Sequence, residues 1–218
     1  MLQWRQISTV LLDMDGTLLD LHYDNHFWLE HVPLRYAEHH GLGLDEARTA
    51  LLERYQEMEG RLEWYCVDFW TRELGLDIPA LKLELDHLIA IQPCVIDFLN
   101  AVRALGKRTV LVTNAHGKVL QLKMLRTGLA SHFDSLISAH QMGAPKEQLR
   151  FWHMMQATEP FDCADTVLID DSVPVLRTAR DYGIERLLTI SKPDSRLPAK
   201  APSEFPAIRS FQQIMPQC

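Results

Sequence analysis

The sequence predicts an α/β fold in which a doubly wound, Rossmann-like parallel sheet carries an inserted helical domain. Three observations support this fold class. Residues 9–12 are apolar or β-branched and run directly into Asp13 and Asp15, as expected of a parallel strand that is buried on both faces. From residue 93 onward, strand-like and helix-like segments alternate, which is typical of a parallel sheet covered by helices. Between these regions, about 70 residues show helical spacing of their apolar side chains.

The end of the first strand is the first candidate for a functional site. In open α/β sheets, ligands bind outside the carboxyl ends of the strands. The carboxylates of Asp13 and Asp15 would point the same way on an extended segment, and they would repel each other unless a cation lies between them or the chain bends. Gly16 permits a bend because it has no Cβ atom. The junction therefore predicts a ligand site that contains two acids.

The segment after this junction predicts a helical domain. Apolar and aromatic residues recur at helical spacing in stretches within residues 27–36, 51–58 and 62–70, and glycines between them mark turns. We therefore expect a bundle of about four helices. It forms a cap domain of residues 21–92, while residues 1–20 and 93–218 form the α/β core.

The remaining residues predict the rest of the core. Strands are expected at residues 108–113, 135–139, 166–169 and 186–190, and helices at residues 95–105, 119–126, 147–157 and 175–182. Strands separated by helix-length segments imply crossover connections and a parallel sheet. The proline-rich residues 192–218 are expected to wrap the surface.

Composition excludes several classes of protein. The chain has 218 residues, 47% of them hydrophobic, and a net charge of −7, so it can bury a full core. It shows no basic stripe for nucleic acid and no apolar stretch long enough for a membrane span. Without a signal-like N-terminus, it is expected to be cytoplasmic. The cysteines Cys66, Cys94, Cys163 and Cys218 lack metal-ligand spacing and are expected to be reduced thiols, with neither disulfides nor a zinc site.

Acidic residues follow two of the predicted strands. Asp13 and Asp15 follow the first, and Asp170 and Asp171 follow the strand at 166–169. So many carboxylates at one edge of a sheet cannot all remain ionised and unpaired. Oxygen ligands at this density favour Mg²⁺.

Other polar residues near the strand ends suit a phosphoryl group. Thr113 and Asn114 end the second strand, and Lys146 follows the third after a short loop. A metal ion and a lysine would neutralise the phosphoryl oxygens while one carboxylate attacks in line. The resulting aspartyl-phosphate would be hydrolysed by water, with Asp15 as the acid and base.

Four segments resemble, in the same order, the motifs of the haloacid-dehalogenase-like (HAD) hydrolase superfamily: residues 13–18 (DMDGTL), 110–114 (VLVTN), 145–146 (PK) and 168–172 (LIDDS). The resemblance covers the whole chain and includes the position of the helical cap. It implies that Asp13 is the nucleophile and Asp15 the general acid and base. It further implies that Thr113 and Lys146 bind phosphate, and that Mg²⁺ is held by Asp13, Asp15 through its backbone carbonyl, Asp170 and Asp171.

Further segments are similar to bacterial purine 5′-nucleotidases that hydrolyse GMP and IMP: residues 24–25, 27–28, 64–66 and 73–78 in the predicted cap, and residues 113–116, 152–153 and 193–195 in the core. This resemblance implies a small-molecule phosphomonoester as substrate, and we expect a monomer or weak homodimer. A sugar-phosphate phosphatase or phosphomutase of the same superfamily remains an alternative. Asp15 argues against a metal-free dehalogenase, and the complete set of acids argues against a protein that only binds.

The aromatic residues of the predicted cap have two interpretations. Trp28, Trp64 and Trp70 could stack on a purine ring, or they could form the hydrophobic centre of the cap, which their helical spacing favours. His116 could touch the phosphate, but a single histidine near a site is more often a hydrogen-bonded scaffold residue. Asn114 is expected to bind substrate through its backbone or side chain.

Overall fold

The computed structural model describes residues 2–216 and contains a parallel sheet. Its strands are β1 (Thr9–Leu12), β2 (Arg108–Thr113), β3 (Ser135–Ser138), β4 (Thr166–Ile169), β5 (Arg186–Ile190) and β6 (Ala207–Ile208), and their order in the sheet is β3-β2-β1-β4-β5-β6. The α/β fold class predicted from the sequence is confirmed.

Helices fill the segments between the strands. The segment between β1 and β2 contains α1 (His22–His26), α2 (Val32–His40), α3 (Leu44–Met58), α4 (Val67–Leu74), α5 (Ile78–Glu84) and α6 (Val95–Ala104). The later connections contain α7 (Gly117–Thr127), α8 (Ala139–Met142), α9 (Leu149–Thr158) and α10 (Val173–Tyr182). A π-helical turn at Phe27–His31 joins α1 to α2, so these two elements follow one another without a loop.

The central strand β1 supplies side chains to both faces of the sheet. Val10 and Leu12 belong to one buried cluster, together with side chains from α6 and α7. Leu11, between them, belongs to a second cluster with side chains from α9 and α10. Successive side chains of a strand point to opposite faces, so an uninterrupted apolar run is what a sheet covered on both sides requires.

Residues 21–92, which we call the helical insert, have a buried cluster of their own. Phe27, Leu51, Trp70 and Leu74 are central members of this cluster, and Val119 of α7 extends it onto the core. The division of the chain into a core and a cap domain stays a prediction, which this separate cluster supports. None of the helices within residues 2–216 is long and apolar enough to cross a membrane.

The C-terminal segment differs from the prediction that residues 192–218 wrap the surface. Residues 207–208 form β6, which pairs with β5, and Phe205, Phe211 and Ile214 are buried. Apolar residues separated by prolines carry no helix or strand period, so sequence pattern did not indicate their burial. Cys66, Cys94 and Cys163 are free thiols, and Cys218 lies outside the described residues.

The register of the sheet aligns the strand ends that carry the predicted site. Leu12 of β1 pairs with Ile169 of β4, so Asp13 and Asp170 follow at the same level. The Asp13 backbone N–H donates to the Ile169 carbonyl oxygen at 3.0 Å. On the other side, Leu12 pairs with Leu111, two residues before Thr113. Residues 157 positions apart in sequence (170 − 13) are thereby brought to one edge.

Candidate active site

Lys146 joins the two acids that follow β1 and β4. Its Nζ lies 2.6 Å from Asp13 Oδ1 and 2.7 Å from Asp170 Oδ2, and it also donates to the Val112 carbonyl oxygen at 3.0 Å. All three charged side chains are buried. Burial raises the pKa of Asp13 to about 6, although Lys146 acts in the opposite direction, and the same balance raises the pKa of Asp170 to about 6. One ammonium group thus serves two carboxylates, which leaves an excess of negative charge.

A hard cation fits this excess. Asp13, Asp170 and Asp171 offer carboxylate oxygens within 4.8 Å of one another. The Oδ2 atom of Asp13 is buried and has no hydrogen-bond partner, so its lone pairs are available to an ion. A set of oxygen donors with no nitrogen or sulfur suits Mg²⁺ better than a soft transition metal.

Gly16 permits the close approach of Asp171. Its backbone has φ +87°, and a Cβ atom added there would lie 2.7 Å from Asp171 Cγ. The Asp171 backbone N–H donates to Thr17 Oγ1 at 3.1 Å. Lys200, from the C-terminal segment, donates to Asp171 Oδ2 at 2.8 Å. The first and fourth predicted motifs therefore touch directly, and a residue that the sequence did not single out balances the charge of Asp171.

Asp15 takes part in a network of ion pairs with alternating charges, which the sequence analysis did not predict. Lys123 Nζ lies 2.6 Å from Asp15 Oδ1 and 2.6 Å from Asp24 Oδ2, and Lys82 Nζ lies 3.0 Å from Asp24 Oδ1. Burial raises the pKa of Asp15 to about 7 despite Lys123. Burial also acts to raise the pKa of Asp24, but Lys123 and Lys82 together lower it to about 2. Asp24 is therefore a fixed negative charge between two ammonium groups.

The sequence did contain a signal for this network of ion pairs. Lys123 lies on the buried face of α7, beside Val119, Leu120 and Met124, and only 1% of its side chain is exposed. A lysine is almost never buried unless it is paired. A lysine on an apolar helix face therefore predicts an acidic partner, although it does not say which acid.

Asn114 holds the loop that carries Lys146. Its Oδ1 accepts from the Lys146 backbone N–H at 2.9 Å, and its Nδ2 donates to Glu147 Oε2 at 2.9 Å. The Tyr65 hydroxyl, from the helical insert, donates to Glu147 Oε1 at 2.6 Å. Thr113 is buried and its Oγ1 accepts from the Ala115 backbone N–H at 3.0 Å. The Asn114 side chain is thus already occupied, and Glu147 and Tyr65 are additions to the predicted set.

A cavity of about 330 Å³ lies above these acids, between the core and the helical insert. Its charged end is formed by the acids and lysine already described, and its apolar wall comes from the insert. The residues of that wall include Trp28, Leu29, Tyr55, Trp64, Tyr65 and Val67. Trp70 is fully buried behind them and donates its indole N–H to the Trp64 carbonyl oxygen at 2.8 Å. Of the three tryptophans considered, Trp28 and Trp64 line the cavity and Trp70 belongs to the core of the insert.

A model of the haloacid dehalogenase-like hydrolase family matches residues 7–183, and the protein belongs to this family. The superfamily predicted from the sequence is confirmed. The chain is 38% identical over 213 residues to the GMP/IMP nucleotidase YrfG of Escherichia coli (strain K12), and the match covers 98% of this chain and 96% of that protein. The GMP/IMP nucleotidase YrfG of Shigella flexneri matches equally well.

Solved structures show the same fold at lower sequence identity. The HAD phosphatase from Thermococcus onnurineus superposes with a TM-score of 0.79 at 22% identity, over 95% of this chain and 96% of that one. A putative beta-phosphoglucomutase from Thermotoga maritima gives a TM-score of 0.67 at 19% identity, over 96% and 97% of the two chains. At these identities the likeness concerns the fold alone.

Proposed function

We propose that the protein is a Mg²⁺-dependent phosphatase that hydrolyses purine nucleoside 5′-monophosphates, GMP and IMP, to nucleoside and phosphate. The observation that carries this proposal is the similarity, over nearly the whole of both chains, to a GMP/IMP nucleotidase. The cavity supports it, because it places an apolar aromatic wall opposite a charged end. The predictions of a cytoplasmic location and of a monomer or weak homodimer stay predictions.

In the proposed reaction, Asp13 is the nucleophile. One oxygen of its carboxylate forms a bond to phosphorus as the bond from phosphorus to the ester oxygen breaks. Asp15 donates a proton to the departing nucleoside oxygen. In the second step Asp15 takes a proton from water, the water oxygen attacks the aspartyl-phosphate, and phosphate leaves with Asp13 restored.

The other core residues hold the phosphoryl group. Lys146 already contacts Asp13, so its ammonium group can stabilise the negative charge on the phosphoryl oxygens in the transition state. Thr113 offers its hydroxyl hydrogen, since its oxygen already accepts from the Ala115 backbone N–H. Asp13, Asp170 and Asp171, with the Asp15 backbone carbonyl, would hold Mg²⁺, which supplies positive charge to the phosphoryl oxygens when bound.

The base of the nucleotide would lie against the aromatic wall of the cavity. Trp28 and Trp64 both line the cavity and are only half-buried, so either offers a ring face or edge to a purine. Aromatic pairs of this kind add about 0.5–1.5 kcal/mol beyond the apolar area that they bury. The wall therefore favours a leaving group with a large flat ring over a small sugar.

The test is phosphate release with Mg²⁺ across GMP, IMP, AMP and a set of sugar phosphates. We expect the highest kcat/KM for GMP and IMP, and a loss of at least about a thousandfold in Asp13→Asn, which removes the nucleophile. EDTA should abolish turnover and Mg²⁺ should restore it. Equal rates on sugar phosphates, or isomerisation of a sugar phosphate without phosphate release, would contradict the substrate. Full turnover by Asp13→Asn would contradict the mechanism.

A further inference from the structure

A second cluster of potential metal ligands lies where the helical insert meets the core. Cys66 precedes α4 in the insert, His116 precedes α7, and His140 lies in α8. The sulfur and one ring nitrogen of each histidine lie within 4.8 Å of one another, and all three residues are half-buried. These residues are distant in sequence, so ligand spacing gave no sign of the cluster.

Cys66 and His140 each have capacity left to bind an ion. Cys66 is a free thiol whose sulfur accepts only the Phe69 backbone N–H, at 3.4 Å. The Nε2 atom of His140 is buried and has no hydrogen-bond partner. A buried polar atom of this kind needs an explanation, and a ligand that approaches from the cluster would supply its missing partner.

To bind the ion, His116 must give up one hydrogen bond, because its Nδ1 accepts the Lys118 backbone N–H at 3.3 Å. Its Nε2 lies 3.8 Å from Asp68 Oδ2, and metal-bound histidines commonly direct their second ring nitrogen to a carboxylate. Burial lowers the pKa of His116 and lowers the pKa of His140 to about 4, with His116 adding to the effect. Both rings are therefore neutral near pH 7, the form that binds metals.

We propose that Cys66, His116 and His140 bind a soft divalent ion of the Zn²⁺ class, which links the helical insert to the core. One sulfur and two nitrogen donors suit Zn²⁺ and leave a fourth tetrahedral position open; Mg²⁺ prefers oxygen. The three ligand atoms must come within about 3.5 Å of one another, because bonds from Zn²⁺ to nitrogen and sulfur are about 2.0–2.3 Å long. On binding, the Cys66 thiol releases its proton to solvent and the thiolate bonds to the ion.

An ion at this site would affect turnover through the motion of the insert. His116 also lines the cavity, and the ion would tie Cys66 of the insert to two residues of the core. If the insert must open to release product, a bound ion slows that opening. This consequence rests on the proposed function, whereas metal binding itself does not.

The binding test uses Co²⁺ as a spectroscopic substitute for Zn²⁺. We expect metal-free, full-length protein, with the acidic site saturated by Mg²⁺, to bind one Co²⁺ with a thiolate-to-cobalt charge-transfer band that excess Zn²⁺ removes. Cys66→Ser should lose the band, and His140→Gln should weaken binding by at least about tenfold. Cys94→Ser, which alters a thiol outside the cluster, is the matched control. A missing band in the wild type, or an unchanged band in Cys66→Ser, would overturn the proposal.

The second test measures phosphate release from GMP in saturating Mg²⁺ with added Zn²⁺. We expect Zn²⁺ to inhibit the wild type and Cys94→Ser, and to inhibit Cys66→Ser at concentrations at least about tenfold higher. Equal inhibition of all three would place the inhibitory ion elsewhere and refute the link to turnover. Because the cobalt spectra need no substrate, failure of the metal site and failure of the nucleotidase proposal give different results.

Discussion

At the scale of single residues, the site depends on how closely the first and fourth motifs approach each other. The pattern of acids followed by glycine indicated a bend at Gly16, and the structure gives the reason that the bend needs glycine. The residue combines φ +87° with a Cβ position occupied by the Asp171 carboxylate. The positive φ would strain the backbone of any residue that has a side chain, and the Asp171 carboxylate would collide with its Cβ atom.

Gly16→Ala should therefore weaken both the fold and the proposed Mg²⁺ site. We expect a loss of about 1–3 kcal/mol in the free energy of unfolding, from backbone strain, and weaker Mg²⁺ binding, because Asp171 must move. Gly106→Ala is the control, since Gly106 has φ +66° and nothing within 4 Å of its Cβ position. Urea unfolding and Mg²⁺ titration of activity would measure the two effects. If Gly106→Ala weakened Mg²⁺ binding as much, the collision with Asp171 would not be the cause.

At the scale of elements, length and periodicity explain which parts of the fold could be predicted. The strands β1, β2 and β4 are apolar runs bounded by polar residues, and the helices beside them show clear apolar faces, so their positions follow from sequence pattern. The two-residue strand β6 has no such pattern, and neither does the short buried 3₁₀ turn at Phe211–Ile214. Their burial depends on contacts with β5 and α6 that only the folded chain provides.

Ile208→Ala tests whether β6 is an integral part of the core. Ile208 is 5% exposed and belongs to the same buried cluster as Val10 and Phe98, so we expect a loss of about 2–5 kcal/mol in the free energy of unfolding. Leu125→Ala, at a position 78% exposed, should change it by less than about 0.5 kcal/mol. Equal stability of the two variants in urea would show that the C-terminal segment only covers the surface.

At the scale of the whole molecule, the candidate site is divided between the core and the helical insert. The acids of the core could be predicted because the ends of parallel strands meet at one edge. The network of ion pairs that runs from Asp15 to Lys82 could not be predicted, because it joins side chains of two regions whose pairing depends on tertiary packing. Asp24 and Lys82 belong to the insert, whereas Lys123 and Asp15 belong to the core. The insert is thus linked by ion pairs to Asp15, the proposed general acid.

Lys123→Met should slow the chemical step more than it weakens substrate binding. Asp15 would lose a charge-assisted hydrogen bond of about 1.5–3 kcal/mol, which corresponds to a fall in kcat of about 10–100-fold, with KM changed much less. Lys82→Met is the matched control, because it removes a buried ammonium that contacts Asp24 and not Asp15. Steady-state kinetics on GMP, with melting temperatures as a check on folding, would measure the difference. An unchanged kcat in Lys123→Met would contradict a positioning role for this lysine.

The contact between Lys200 and Asp171 has a consequence for the order in which the site matures. Asp13, Lys146 and Asp170 all leave the ribosome before Lys200 and β6 do, and a domain generally folds as a unit. The acids of the site therefore emerge from the ribosome before the cation that balances Asp171. The nascent enzyme is expected to hold phosphate esters poorly until this last segment has emerged and docked.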